Sequence, residues 1–232
     1  MPLNYNFICF YKLFNKLKII SILLLLFFIN NYKAKAVGVL GNFSLAPTTI
    51  TGQLTYIGGT AISVVFDNWI FSIGSYNAIT RNIESDFTYT AITNEVFKPR
   101  LVNNFFEFDV EKLIPINKKN VSDEKDLIHN YGISLSGMFG LNHVKYRIVM
   151  SQSALLSESD IPNFGDCWYY SATPCIGFFY DFDKWIRIIV DLGYHFSFDA
   201  NYEVKEVENV RLSNKDLNGI ILLFKLQLGD VQ

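Results

Sequence analysis

The sequence predicts an all-β fold: an antiparallel β-barrel of about eight strands, ten if two weaker segments count. Three observations predict it. One long segment has an entirely apolar even face and a mostly polar or small odd face, several other segments repeat that alternation, and the composition is rich in aromatic residues and poor in charge. The clearest segment is WIRIIVDLGYHFSF, residues 185–198. Its even positions are Ile186, Ile188, Val190, Leu192, Tyr194, Phe196 and Phe198, all apolar or aromatic. Its odd positions include Arg187, Asp191, Gly193, His195 and Ser197, mostly polar or small. Successive side chains of a strand point to opposite sides, so the segment has one greasy and one wet face. A helix would scatter the same residues around its surface. A tilted strand crosses a bilayer in roughly 9–11 residues. The segment is therefore expected to be a transmembrane strand, with lipid on the even face and a polar lumen on the odd face. The competing reading is a long strand of a soluble sandwich or of a soluble periplasmic lipid-binding barrel.

Composition narrows the function classes. The chain has 232 residues, 50% of them hydrophobic, with 21 Phe and 13 Tyr, and only 18% are charged. That favours strands and membrane-interface belts of aromatic residues. Residues 1–36 hold five lysines and no acid, and residues 37–232 carry 15 basic against 22 acidic residues, a net of −7. An acidic body does not suit a nucleic-acid binder, so no nucleic-acid partner is expected.

The N-terminus reads as an export signal. Lys12, Lys16 and Lys18 precede the apolar run IISILLLLFFI at 19–29, and Ala34-Lys35-Ala36 follows. A basic region, an apolar core of that length and an A-x-A site make a secretory signal peptide, with cleavage expected after Ala36. An uncleaved anchor is the alternative. No other apolar run is long enough for a spanning helix, so further crossings must be made by strands. Cys9 lies in the leader. Cys167 and Cys175 would reach an oxidising compartment. On one regular strand they would be too far apart to bridge, and a bond would require a turn between them. The sequence leaves that choice open. No metal-type Cys/His spacing occurs, and no cofactor is expected.

From residue 37 the chain reads as follows. Residues 37–50 are a loose leader or an extra first strand. Residues 52–66 and 69–80 alternate and flank Asp67-Asn68, a turn signal. Residues 86–97 read as the next strand. Residues 98–130 change character, with Pro99, Pro115 and mixed charges, and read as an external loop with a short strand near 102–110 inside it. Residues 131–150 read as a hairpin of 131–141 and 143–153, because the apolar face moves from Ile133, Leu135, Phe139 and Leu141 to Val144, Tyr146, Ile148 and Met150. His143, Lys145 and Arg147 then fall on the wet side. Residues 153–166 and 200–216 are further external loops. Residues 168–181, 185–199 and 217–229 complete the strands, with Pro174 arguing for a bulge or strand end. The stretch from Phe182 to Ile186 (FDKWI) repeats that from Phe66 to Ile70 (FDNWI), which suggests equivalent tight turns. Acidic loop residues (Asp123, Glu124, Asp126, Glu203, Glu206, Glu208) suit either plain solvation or a basic host surface.

Three stretches carry a family resemblance: NYGISLSGMFGLNHVKYRIVMS (130–151), YSATPCIGFFYDF (170–182) and DLGYHFSFDANYEV (191–204). They resemble the glycine-interrupted strand pair, the aromatic-Pro-x-Cys-x-Gly strand and the Gly-x-His-aromatic strand of the surface-antigen (major surface protein) outer-membrane family of rickettsial-type intracellular bacteria. The resemblance implies a surface-exposed barrel serving as a small porin, antigen or host-contact protein, and no catalytic residues.

The most enzyme-like set is Asp191, His195 and Ser197, on one wet face. A hydrolase needs nucleophile, base and orienting acid within hydrogen-bond reach, and His195 and Ser197 are about 7 Å apart by strand rise alone. An outer-membrane lipid-modifying barrel enzyme of acyl-hydrolase type is thus the alternative function. The favoured reading is polar filling of the lumen, with Arg187 and Asp191 as a charge pair. The sequence therefore predicts 1–36 as signal peptide and 37–232 as a bacterial outer-membrane barrel with a non-enzymatic structural or host-contact role and at most weak porin activity. Its expected partners are outer-membrane lipid and a host-surface ligand met by the external loops.

Overall fold

The structure, a computed structural model, describes residues 37–79, 83–90, 96–116, 130–148, 162–205, 207 and 210–229. The expected signal peptide 1–36 with its cleavage site and Cys9 lies outside the described residues. So do His129, Asp123, Glu124, Asp126, Glu206, Glu208 and most of the loop 153–166.

The elements in order are β1 (Val37–Ile50), β2 (Gln53–Phe66), β3 (Trp69–Ala78), β4 (Tyr89–Thr90), β5 (Val96–Phe97), β6 (Arg100–Pro115), β7 (Tyr131–Arg147), β8 (Cys167–Asp181), β9 (Ile186–Phe198), β10 (Asn201–Glu203), β11 (Arg211–Ser213), a one-turn helix α1 (Asn214–Leu217) and β12 (Gly219–Gly229). Eight of the strands form a closed antiparallel barrel in the order β1-β12-β9-β8-β7-β6-β3-β2. Closure pairs the last strand with the first, from Leu40 opposite Gly229 to Thr48 opposite Ile221, so the ladder has no free edge. Two small hairpins, β4–β5 and β10–β11, stand outside it.

Turn chemistry fixes the tight connections. Between β1 and β2, Thr51 (φ 51°) and Gly52 (φ 75°) both take left-handed backbone, as a two-residue hairpin turn requires. Between β2 and β3, Asp67 (φ 56°) does the same, and Phe66 pairs directly with Trp69. The matching stretch at 182–186 turns differently: the Asp183 carboxylate accepts from the backbone N–H of Trp185 (2.6 Å) and Ile186 (2.9 Å), and Phe182 N–H bonds Ile186 O (2.9 Å). The two look-alike pentapeptides are therefore not equivalent turns.

Eight strands were expected and eight close the barrel, but four assignments change. Residues 37–50 are a full barrel strand. The described residues of 86–97 are not in the barrel; they contribute the small two-stranded sheet β4–β5. Residues 100–115 form β6, which pairs along its whole length with β7, so the short strand expected near 102–110 within the loop 98–130 is a full barrel strand. Its acids Glu107, Asp109 and Glu111 are buried and face inward. Residues 131–147 are one strand, not a hairpin: the register with β6 runs unbroken from Pro115 opposite Gly132 to Arg100 opposite Arg147. Even positions point inward throughout. The apparent switch of parity arises because the lumen itself changes from polar around Ser134 to apolar around Val144 and Tyr146.

Pro174 causes neither a bulge nor a strand end. The β8–β9 ladder skips Thr173 and Pro174 and resumes in the same register at Cys175 opposite Gly193. Cys167 and Cys175 lie on this one strand and are both free.

Antiparallel alternation also sorts the connections between two ends. The segments joining β3 to β6, β7 to β8 and β9 to β12 leave from one end, here the loop end. The turns at 67–68 and 182–185 and the connection between Ile116 and Asn130 leave from the other. The three loops expected on one external face thus do not share a side.

Candidate functional site

On each barrel strand large apolar side chains stand outward, and the central inward ones are mostly polar. Phe43, Ile62, Ile73, Phe108, Phe139, Phe178, Leu192 and Ile220, one from each strand, are exposed. Asn42, Ser63, Ser72, Asp109, Ser134, Ser171, Asp191 and Lys225, again one from each, are buried. Aromatic side chains gather near both rims. Trp69, Tyr131, Tyr180 and Trp185 stand outward at the turn end, and Tyr56, Trp168, Tyr194 and Phe198 near the loop end. Lys112 lies over the Trp69 ring (4.7 Å) and Lys184 over that of Trp185 (5.4 Å).

The lumen is filled in three layers. Near the turn end, Leu40, Val65, Ile70, Leu113, Phe179 and Ile189 form an apolar layer. Beside it Arg187 grips Asp181 with two bonds, Nε to Oδ1 at 2.5 Å and Nη2 to Oδ2 at 3.1 Å.

The middle layer centres on Lys225. Its Nζ lies 2.9 Å from Asp109 Oδ2, 3.3 Å from Asp191 Oδ2 and 3.5 Å from Glu111 Oε1, so β12 is tied to β6 and β9. The Ser134 hydroxyl donates to Asp191 Oδ1, and Gln227 Nε2 donates to Glu111 (3.4 Å). On the other side of the barrel Asn42, Ser63 and Ser72 form a chain, with Asn42 Nδ2 donating to Ser63 Oγ (2.6 Å) and Ser63 Oγ to Ser72 Oγ (2.7 Å). Buried charge is tolerated only when paired in this way. Gly177 makes room for the cluster: a Cβ there would lie 2.3 Å from Asp191 Oδ1 and 2.0 Å from Val190 O.

At the loop end the connecting segments fold back over the lumen. Phe87 meets Tyr146 (ring centroids 5.1 Å) and Phe164 (5.8 Å) edge-on, and Tyr146 stacks on Tyr202 (5.9 Å). The Tyr202 hydroxyl accepts from Tyr146 N–H (3.3 Å) and reaches Phe164 O (3.0 Å), stapling the cap to β7. Leu212 and Leu217 complete this apolar layer. Below it lies a cavity of about 10 Å³ beside Tyr76, Glu107 and His195, space for about one water.

The three residues weighed as a hydrolytic set are all inward and buried, but they are not assembled. His195 Nδ1 is hydrogen-bonded to Thr173 Oγ1 (2.9 Å), while Asp191 is held by Lys225 and Ser134. The expected pair of Arg187 with Asp191 is replaced by Arg187 with Asp181, its direct cross-strand neighbour, and Asp191 with Lys225. Lys225 was missed as the hub because a lone lysine in an apolar final strand gives no sign of the acids that surround it. The strand β6, of which only a short piece near 102–110 was expected, supplies two of them. Among the described residues no group of three or more His, Cys, Asp or Glu side chains has metal-holding geometry.

No protein-family model matches the chain, and no curated protein matches it. Among solved structures, Neisserial surface protein A (NspA) aligns over 85% of this chain and 99% of its own, at 7% identity and a TM-score of 0.47. Ail, the attachment invasion locus protein of Yersinia pestis, aligns over 83% of this chain and 97% of its own, at 10% identity and a TM-score of 0.40. The closed eight-stranded barrel described above stands on its own strand pairing.

Proposed function

We propose that this protein is a bacterial outer-membrane barrel with a non-enzymatic surface role, structural or host-contacting, exerted through the loop end. The observation that carries the reading is the reversal of the soluble-protein pattern. Large apolar side chains face outward on every barrel strand, and a buried ionic cluster occupies the centre. In water the exposed surface would cost about 25 cal/mol for every Å² left unburied, and soluble monomers rarely carry large contiguous apolar patches. Hydrocarbon removes the cost, and barrel closure satisfies the backbone there. The two aromatic rims fit the interfaces of such a belt.

The apolar layers at both ends of the lumen favour a surface role over transport, since a conducting path needs a continuous polar route. The resemblance of 130–151, 170–182 and 191–204 to the rickettsial-type surface-antigen family supports the same reading. The test is fractionation with a heat-modifiability gel, together with an epitope inserted between residues 153 and 160. The expected result is a detergent-requiring, heat-modifiable protein whose epitope is reached by antibody on intact cells. Release without detergent would overturn the membrane reading, and an epitope silent until lysis would overturn the surface role.

A further inference from the structure

The outer surface of β6 and β7 breaks the apolar pattern at its loop end. Even residues of β6 and odd residues of β7 face outward. Moving toward the loop end from the exposed Phe106 and Phe139, the outward positions become Asn104 and His143, then Lys145, then Arg100 and Arg147. Arg100 and Arg147 are directly opposite in the register, and Lys145 sits opposite Val102. Like charges placed directly opposite on one face of a sheet repel. Of the nearby acids, Asp166 pairs with His143 (2.9 Å), while Glu84 pairs with Lys98 (2.9 Å) and also stands directly opposite Arg100, so Arg100 is already faced by a carboxylate. Among the described residues no hydrogen bond or ion pair engages the side chains of Lys145 or Arg147. The outward lysines of the turn end differ, because Lys112 and Lys184 each lie over a tryptophan ring.

We infer that Lys145 and Arg147, on the outward face of β7, are a seat for the phosphate of an anionic lipid headgroup. The inference rests on the membrane reading above. Guanidinium groups match phosphate oxygens with paired N–H donors, and lysine adds a point charge. Below the cluster, past the polar pair Asn104 and His143, the same two strands present Phe106 and Phe139, so a molecule with its phosphate at Lys145 and Arg147 can lay its chains on apolar surface further down the barrel. A soluble anion would use only the upper half of this arrangement. That is why a lipid is the favoured occupant.

The test is native mass spectrometry of the folded barrel released from micelles doped with equal phosphatidylglycerol and phosphatidylcholine. The wild-type chain is expected to retain phosphatidylglycerol selectively, and Lys145→Gln/Arg147→Gln to lose roughly tenfold of that preference, the scale of one or two charge-assisted hydrogen bonds. Lys112→Gln/Lys184→Gln is expected to keep the preference, as is the charge-conserving pair Lys145→Arg/Arg147→Lys. Heat-modifiable migration checks that each variant is folded, so a lost preference in a folded barrel reads on the seat and not on membrane residence. Equal retention of both lipids by the wild-type chain would overturn the inference, as would an undiminished preference in the Lys145→Gln/Arg147→Gln variant. Displacement of the lipid by millimolar inorganic phosphate would reassign the cluster to a soluble anion. A wild-type chain that never acquires heat-modifiable mobility would remove the membrane reading and this inference with it.

Discussion

Lys225 is the residue on which the interior depends most. It is buried among Asp109, Glu111 and Asp191, and removing it leaves three acids with no cation at their centre. Lys225→Met is expected to destabilise the folded barrel by about 3–5 kcal/mol, the usual penalty for stranding a buried charge. Urea titration in detergent, followed by heat-modifiable mobility, measures it; a midpoint unchanged from wild type would contradict the role of the cluster. Gly177→Ala tests the same centre from the other side. The added methyl group collides with Asp191 and the β9 backbone, and about 1–3 kcal/mol should be lost. At the surface, the Lys98 ammonium that bonds Glu84 holds its carboxyl below the ordinary range. A depressed carboxylate contributes above its unfolded pKa and loses that contribution as pH falls through the folded value. A carboxyl-resolved NMR titration should therefore find Glu84 low, and Lys98→Met should raise it towards the ordinary range, with Arg100 still beside it.

At the scale of the strand, β9 shows how much the sequence made legible. Its even residues face outward, and Arg187, Asp191, His195 and Ser197 face inward, as the alternation predicts. The tight turn at Asp67 was equally legible, because Asp tolerates left-handed backbone. What misled was the assumption that inward means polar at every height. On β7 the inward side is polar at Ser134 and apolar at Val144 and Tyr146, so one strand read as two. On β6 nothing marked Asp109 and Glu111 as lumen residues, because Lys225, which holds both, lies on β12, 116 residues from Asp109. No local pattern reports a partner that distant. The candidate site shares this fate: the polar face of β9 was visible, but the ion pairs that organise it depend on which strands the barrel sets opposite one another.

For the whole molecule the decisive features are the sealed ends of the lumen and the apolar outside. The aromatic cap built from Phe87, Tyr146, Phe164 and Tyr202 predicts little or no conductance in planar bilayers. Phe164→Ala/Tyr202→Ala should raise the frequency of opening at the loop end. Steady large conductance from the unaltered barrel would contradict the three-layer lumen. The central claim is that the outer face of the barrel meets lipid, and spin-label scanning along residues 186–198 in vesicles tests it most directly. The account predicts that labels at Ile188, Leu192, Tyr194 and Phe196 collide readily with dissolved oxygen and poorly with a water-soluble nickel chelate, while labels at Arg187, Ile189, Asp191 and His195 are shielded from both. Ready access of the nickel chelate to positions 188 and 192 would contradict it.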